Sequence, residues 1–165
     1  LFIDGSLAQI DRRKLNYEDL GEISLERRDA ISADNQVSEA RSIVIEESKA
    51  AIGLVKRAIS AYIDSGFDNT HIANLPQLLD SVRGAFQMIN ANKLPAVTLG
   101  ATEFMRRFVN REAVNPATDV QALETLADAM ISIEYYLNEL GRRHIADERI
   151  LLVAEDSIAT LQAFN

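Results

Sequence analysis

Several kinds of residue are missing from this 165-residue chain or scarce in it, and each absence excludes a class of protein. Cysteine is absent, which excludes disulfide bonds and thiolate metal sites and fits a cytoplasmic protein. Tryptophan is absent too, and aromatic residues make up only 6% of the chain, a composition poorly suited to a β-sandwich. No apolar run approaches the roughly 18 residues that span a bilayer, so we expect no membrane contact.

The chain also lacks the excess of positive charge that nucleic-acid binding requires. Its 25 acidic and 17 basic residues leave a formal net charge of −8. Proteins that bind nucleic acid neutralise its phosphates with clustered Lys and Arg, so we expect no nucleic-acid partner. The cluster of Arg106, Arg107 and Arg111 predicts a salt-bridged helix face, with a patch for an acidic partner as the alternative. The composition therefore favours a protein that acts through protein partners.

The residues that are abundant favour helix packing. Hydrophobic residues make up 47% of the sequence, and Ala, Leu and Ile dominate them. They recur at spacings of three, four and seven, as on one face of a helix, and no convincing strand alternation occurs. The sequence predicts an all-α fold, an antiparallel up-and-down helical bundle with a four-helix core and one extra helix. We expect this bundle over residues 35–165 and an irregular arm or linker, containing a short helix at 6–10, over residues 1–34.

Turn residues and caps divide the bundle into five predicted helices. Gly66 ends the first, Thr118 and Gln121 have the spacing of a capping box, and Gly141 closes the fourth. The fifth is predicted to turn Val153 inward, and the fourth to place one of its two adjacent tyrosines at the rim. The predicted helices cover residues 36–64, 75–89, 94 onwards, 118–140 and 147 onwards. The expected buried stripe of the first helix, flanked by isoleucines at 45, 52, 59 and 63, comprises Val37, Ala40, Val44, Ala51, Val55, Ala58 and Tyr62.

A group of polar residues on the second predicted helix is the candidate functional site. Asp80, Arg83, Gly84 and Gln87 lie about 80° to 180° from Leu75 on a helical wheel, on the solvent side. Asp80 and Arg83 are three residues apart, which also fits a weak surface ion pair. Gly84 costs about 1 kcal/mol relative to Ala inside a helix. It therefore indicates either a partner that approaches the backbone closely or a neighbouring helix that does.

The segment LLDSVRGAFQM at residues 78–88 resembles the motif of histidine-phosphotransfer (Hpt) domains, in which a His precedes Lys or Arg by three positions and Gly by four. Longer stretches, LLDSVRGAFQMINANKLPAVTLGATEFMRRFV and LETLADAMISIEYYLNELGRRHIADERILLVAEDSIATLQAF, are similar to internal Hpt-like domains of type IV pilus chemosensory kinases. These are hybrid, CheA-like histidine kinases of the PilL/ChpA class. The opening LFIDGSLAQIDRRKL also resembles the start of such a segment.

The resemblance implies a four-helix Hpt-like core and assigns positions within it. Asp80 stands where the phosphoacceptor His would be, Arg83 where the cation and Gly84 where the clearance residue would be, and Ser81 and Gln87 complete the surface. Since a carboxylate lacks the nucleophilic ring nitrogen, the resemblance implies a non-catalytic interaction or scaffold domain without a cofactor, within a parent histidine kinase. The implied partners are a response-regulator receiver domain, kinase domains or pilus-localisation factors.

Two alternatives stay open at this point. The chain could be an active phosphorelay domain that uses a non-standard residue, His71 or His144, although neither precedes a cation and a glycine at the required positions. It could instead be a purely structural dimerisation bundle. No Glu-x-x-His pair for a metal centre and no glycine-rich phosphate loop occur. Because the chain begins with Leu1 rather than Met, we expect a fragment of a longer protein.

Overall fold

The computed structural model describes residues 17–89 and 91–164. Their helices are α1 (Tyr17–Asp64), α2 (Leu75–Met88), α3 (Leu94–Asn110), α4 (Pro116–Arg143) and α5 (Leu152–Gln162). Short 3₁₀ turns at Asn69–His71 and Glu148–Leu151 precede α2 and α5. No strand occurs in the described ranges, and the predicted all-α helical bundle is confirmed. Within them, no helix combines the length and the apolar character needed to cross a membrane.

Helix α1 begins much earlier than the sequence pattern predicts. Residues 17–34, expected to be irregular, are helical, whereas the predicted short helix at 6–10 lies outside the described residues. The stretch is rich in Glu, Arg, Ala and Leu, which favour helix, and the single Gly21 is too weak a breaker to end it. The chain divides into two compact units, residues 1–40 and 41–165, and the boundary falls inside this helix.

The hydrophobic core belongs to the unit 41–165, and only part of the stripe predicted for α1 enters it. Val55 and Tyr62 are buried as predicted. Val37 is 69% exposed, and Val44, Ala51 and Ala58 are only half-buried. The larger isoleucines that were expected at the margin lie at the centre instead, because burying Ile removes more apolar area from water than burying Ala. The buried hydrophobic residues described in α1 are Ile45, Ile52, Val55, Ile59 and Tyr62.

Contacts along α1 and α4 run in opposite directions, as an antiparallel bundle requires. Ile45, near the start of this unit, lies 3.6 Å from the position that a Cβ on Gly141 would take, near the end of α4. Further along α1, Lys56 forms an ion pair with Glu134. Tyr62, near the end of α1, accepts a hydrogen bond from Arg111, just before α4 begins. Helices α2 with α3, α4 with α5, and α3 with α5 form further adjacent pairs.

A buried ion pair joins three helices at one end of the bundle. The Arg111 Nη2 atom donates to Asp119 Oδ2 at 2.8 Å and to the Tyr62 hydroxyl at 2.6 Å. The Asp119 side chain is only 2% exposed, and the Arg111 guanidinium lies 3.6 Å above the centre of the Phe108 ring. Removing either charge would leave the other buried without its partner, so the network favours one arrangement of α1, α3 and α4.

The ends of α4 differ from those that the sequence predicts. The helix begins at Pro116, before the expected capping box, and Asp119 Oδ2 accepts a hydrogen bond from the Asn115 N–H at 3.0 Å. The Thr118 hydroxyl donates to the Asn115 carbonyl, so it does not act as the helix cap that the sequence predicts. At the other end Gly141 lies inside the helix, and His144 takes the left-handed conformation, with φ 63°, that ends it. Gly66, with φ +75°, follows α1 as expected.

Candidate functional site

The polar face of α2 lies at the surface of the bundle. The opposite face buries Leu75, Leu79, Val82 and Phe86 in the core, which fixes the rotation of the helix. The candidate residues therefore point outward to different degrees. The Asp80 side chain is 47% exposed, that of Arg83 is 29% exposed, Ser81 and Gln87 are exposed, and Gly84 is half-buried.

Asp80 and Arg83 form an ion pair with each other. Arg83 donates from Nε at 3.0 Å and from Nη2 at 2.8 Å, and both bonds go to Asp80 Oδ1. Such a pair, three residues apart on a partly solvated helix, contributes about 0.3–0.5 kcal/mol to stability. The two bonds hold the guanidinium beside the Asp80 carboxylate. Among the described residues, no hydrogen bond reaches Asp80 Oδ2 or Arg83 Nη1, so one acceptor and one donor group stay open toward solvent.

Gly84 lies one turn beyond Asp80 and has no packing partner that would require a glycine. No side chain, and no backbone from another element, lies within 4 Å of the position a Cβ would occupy. The neighbouring-helix explanation of this glycine therefore does not hold within the described residues. Gly100 on α3 shows the contrast, since a Cβ there would lie 2.3 Å from Ile158 Cγ2. Gly84 leaves a stretch of α2 backbone open at the surface.

The side chains on this face lack the group that phosphotransfer through histidine requires. Asp80 carries a carboxylate at the position where the Hpt motif, which this segment resembles, has an imidazole. The two histidines lie elsewhere, and both are exposed. His71 ends the 3₁₀ turn capped by Asp68, and His144 ends α4 with its carbonyl accepting a bond from Arg41 Nη2 at 3.2 Å. Groups of three or more metal-binding side chains do not occur in the described ranges.

A second surface feature was missed by the sequence analysis. A shallow groove of about 280 Å³ on α4 and α5 is lined by Ile131, Tyr135 and Val153, each more than half exposed, with Asp128 at its edge. The prediction that Val153 faces inward is wrong, because Leu151 and Ala154 take the buried positions at the start of α5. Tyr136 is buried and Tyr135 exposed, so the predicted division of the two tyrosines is confirmed.

The three arginines of the basic cluster, Arg106, Arg107 and Arg111, have different surroundings in the structure. Arg111 belongs to the buried network, and Arg107 donates from Nη2 to the Leu161 carbonyl at 3.1 Å, joining α3 to α5. Arg106 is exposed on α3. Two of the three arginines thus act within the fold, in agreement with the salt-bridged reading for Arg111.

Comparison with known proteins adds a family to this geometry. No solved structure matches the chain. The scaffold protein FimL of Pseudomonas aeruginosa is 41% identical over 105 residues, which cover 64% of this chain and 18% of that protein. The chain therefore spans less than a fifth of the relative's length. The family model of the FimL C-terminal domain matches residues 35–158, about three quarters of the chain, and the chain belongs to this family.

Proposed function

We propose that this chain is a non-catalytic scaffold domain that binds a response-regulator receiver domain through the polar face of α2. The similar protein from P. aeruginosa is named a scaffold protein, which supports a role in protein binding without chemistry. The resemblance of the α2 segment to an Hpt motif supports the choice of partner. The docking surface comprises Asp80, Ser81, Arg83, Gly84 and Gln87.

The observation that carries the proposal is the open backbone at Gly84. A glycine in the interior of a helix destabilises it by about 1 kcal/mol relative to alanine, and nothing in the described part of this domain packs where its Cβ would be. A partner that packs against this stretch of α2 would supply the missing contact. Arg83, one residue before, provides the cation that an acidic receiver surface would attract.

The carboxylate of Asp80 opposes that attraction and lowers the affinity that we expect for an acidic receiver. Its carboxylate neutralises part of the Arg83 charge and would itself be repelled by an acidic receiver. A domain that binds without exchanging phosphate has no need of strong charge stabilisation at this position. We therefore expect docking through the exposed backbone, Ser81 and Gln87, with Arg83 setting the orientation.

The first experiment measures binding of the whole chain to purified receiver domains by calorimetry. Arg83→Glu should weaken binding about tenfold or more, because it replaces the cation with a like charge. Arg106→Glu on α3 is the matched control and should leave binding unchanged, since the same charge change falls on a different helix. Asp80→Asn should bind at least as well as the unsubstituted chain. Equal binding by the Arg83 and Arg106 variants would contradict the proposed surface.

The second experiment tests the absence of chemistry. The chain is incubated with a CheA-like kinase domain and labelled ATP, with an Hpt domain that carries the His as the positive control. We expect no acid-labile label on this chain, because Asp80 cannot form a phosphohistidine. Label that disappears on His71→Gln or His144→Gln would instead support an active phosphorelay domain.

The wider setting follows from the same resemblance. Similarity to Hpt-like segments of the PilL/ChpA kinases supports a place in a cytoplasmic chemosensory system that controls type IV pili. That similarity implies a parent histidine kinase, whereas the relative is named a scaffold protein. Kinase domains and pilus-localisation factors are the further partners that this setting suggests. The sequence on either side of this chain would distinguish a kinase parent from a scaffold parent.

A further inference from the structure

The part of α1 before the core carries apolar side chains that are exposed to solvent. Every described side chain from residue 23 to residue 40 is exposed, including Ile23 at 49% and Val37 at 69%. Helices in proteins draw most of their stability from packing of an apolar face, and an isolated helix of this length is marginal in water. A surface that covers this face would therefore stabilise the helix.

Five apolar residues in this part of α1 follow a heptad pattern, whereas the exposed Leu25 and Ile31 lie outside it. Ile23, Ala30 and Val37 are seven residues apart and correspond to position a, and Ala33 and Ala40 correspond to position d. On a helical wheel the five residues lie within about 100° of one another. The remaining d position is Glu26. The alanines at the middle of this seam leave room for a second helix to approach closely.

The charges beside the seam select the orientation of a second copy. In an antiparallel pair that sets a layers against d layers, position e faces position e of the partner. Arg27 and Asp34 both occupy position e, so each would face the other across the two-fold axis, which gives two attractive pairs. In a parallel pair position g faces e, and Asp29 would meet Asp34 of the second copy. No ion pair within the described residues already engages Arg27, Asp29 or Asp34.

We infer that residues 23–40 of two copies of this chain pair as an antiparallel coiled coil. The occupant of the exposed face is thus the same segment of a second copy, and the symmetry brings Arg27 of each copy to Asp34 of the other. Most of this segment precedes residue 35, where the match to the FimL C-terminal domain begins. The inference is independent of the docking surface on α2.

Sedimentation equilibrium of the whole chain over a range of concentrations tests the pairing. We expect a reversible monomer–dimer equilibrium that weakens as salt is added. Arg27→Asp and Asp34→Arg should each raise the dissociation constant about tenfold, because each turns two attractive pairs into repulsive ones. The double variant R27D/D34R restores both pairs in reversed sense and should dimerise like the unsubstituted chain.

Two exposed apolar positions, one on the seam and one away from it, provide a matched comparison. Val37→Asp places a charge in the seam and should abolish the dimer. Ile31→Asp is the control, because Ile31 is also exposed, at 59%, but lies about 130° from the centre of the seam. Circular dichroism checks that each variant keeps its helix content in the monomeric state.

Three results would overturn the inference. These are a chain that stays monomeric at every concentration, a double variant no better than the single ones, or equal effects of the Val37 and Ile31 substitutions. Receiver binding by Arg27→Asp is measured alongside, and it should match that of the unsubstituted chain. If the unsubstituted chain binds the receiver but does not dimerise, only the coiled-coil inference fails. If it dimerises but does not bind the receiver, only the proposed function fails.

Discussion

Two glycines inside helices, Gly84 and Gly100, have opposite surroundings. A Cβ added at Gly100 would meet the buried side chain of Ile158, whereas a Cβ at Gly84 would meet nothing within 4 Å. Both residues weaken their helices relative to alanine by similar amounts. At Gly100 the close approach of α5 gives a reason for this within the fold. At Gly84 the described residues give no such reason, and this observation supports the docking surface proposed above.

Replacing Gly84 with Ala is expected to stabilise the domain. The new methyl group enters open space and reduces the conformational freedom of the unfolded chain, so the free energy of unfolding should rise by about 0.5–1 kcal/mol. Urea unfolding followed by circular dichroism measures the change. The same variant should bind the receiver more weakly, because the methyl group covers the open backbone. A more stable variant with undiminished binding would remove Gly84 from the docking surface.

At the scale of helices, the contact between α3 and α5 depends on a missing side chain. Helix α5 packs on both α3 and α4, and Ile158 lies against Gly100 with 5% of its surface exposed. Isoleucine branches at Cβ and has few rotamers to choose from, so it has little freedom to move aside. The close packing of these two helices is therefore sensitive to a single methyl group.

Replacing Gly100 with Ala is expected to destabilise the domain by about 1–3 kcal/mol, the usual cost of overpacking a core. The gain in helix propensity offsets only part of this. A double-mutant cycle with Ile158→Ala should show that the isoleucine truncation is less harmful when residue 100 is Ala, since the clash is then removed. Chemical denaturation of the four proteins provides the numbers. Additive effects would indicate that α5 moves away freely and that the contact is not tight.

At the scale of the whole chain, the core belongs to the second of two compact units, which begins at residue 41. Among the described residues, the first buried side chain is that of Ile45. The family match begins close by, at residue 35. The residues that would pair in the coiled coil lie before this unit, and those of the α2 surface lie within it. The two proposed protein contacts would therefore lie in different units of the chain.

Deleting residues 1–40 is expected to leave a folded domain. Residues 41–165 retain every side chain that is buried among the described residues, so the thermal unfolding midpoint should stay within a few degrees of that of the whole chain at low concentration. Far-ultraviolet circular dichroism during heating checks this. The fragment should bind the receiver as before and stay monomeric in the centrifuge. Failure of the fragment to fold would show that the core depends on residues before 41.

Much of the fold could be predicted from the sequence, because the pattern that marks a buried helix face is local. The apolar residues that helical spacing selects in α3 and α4 are all buried. They are Val97, Ala101, Phe104, Met105, Phe108, Leu123, Leu126, Met130, Ile133, Leu137 and Leu140. The outward position of Asp80 followed from the same periodicity on α2. The start of α1 was missed because the described residues of its N-terminal part have no apolar face directed at a core, and its heptad spacing, carried mostly by alanines, is a weak signal.

Local sequence determined that this chain is helical, where most of its helices lie and which way α2 turns its polar face, since propensity and periodicity act within one element. Only the tertiary structure decided that isoleucines rather than alanines of α1 enter the core, that Val153 faces solvent, and that Asp119 rather than Thr118 organises the start of α4. It also showed that Gly100 lies in close contact with Ile158, whereas Gly84 has open space around it among the described residues. Each of these depends on contacts between residues far apart in sequence, which no local pattern records.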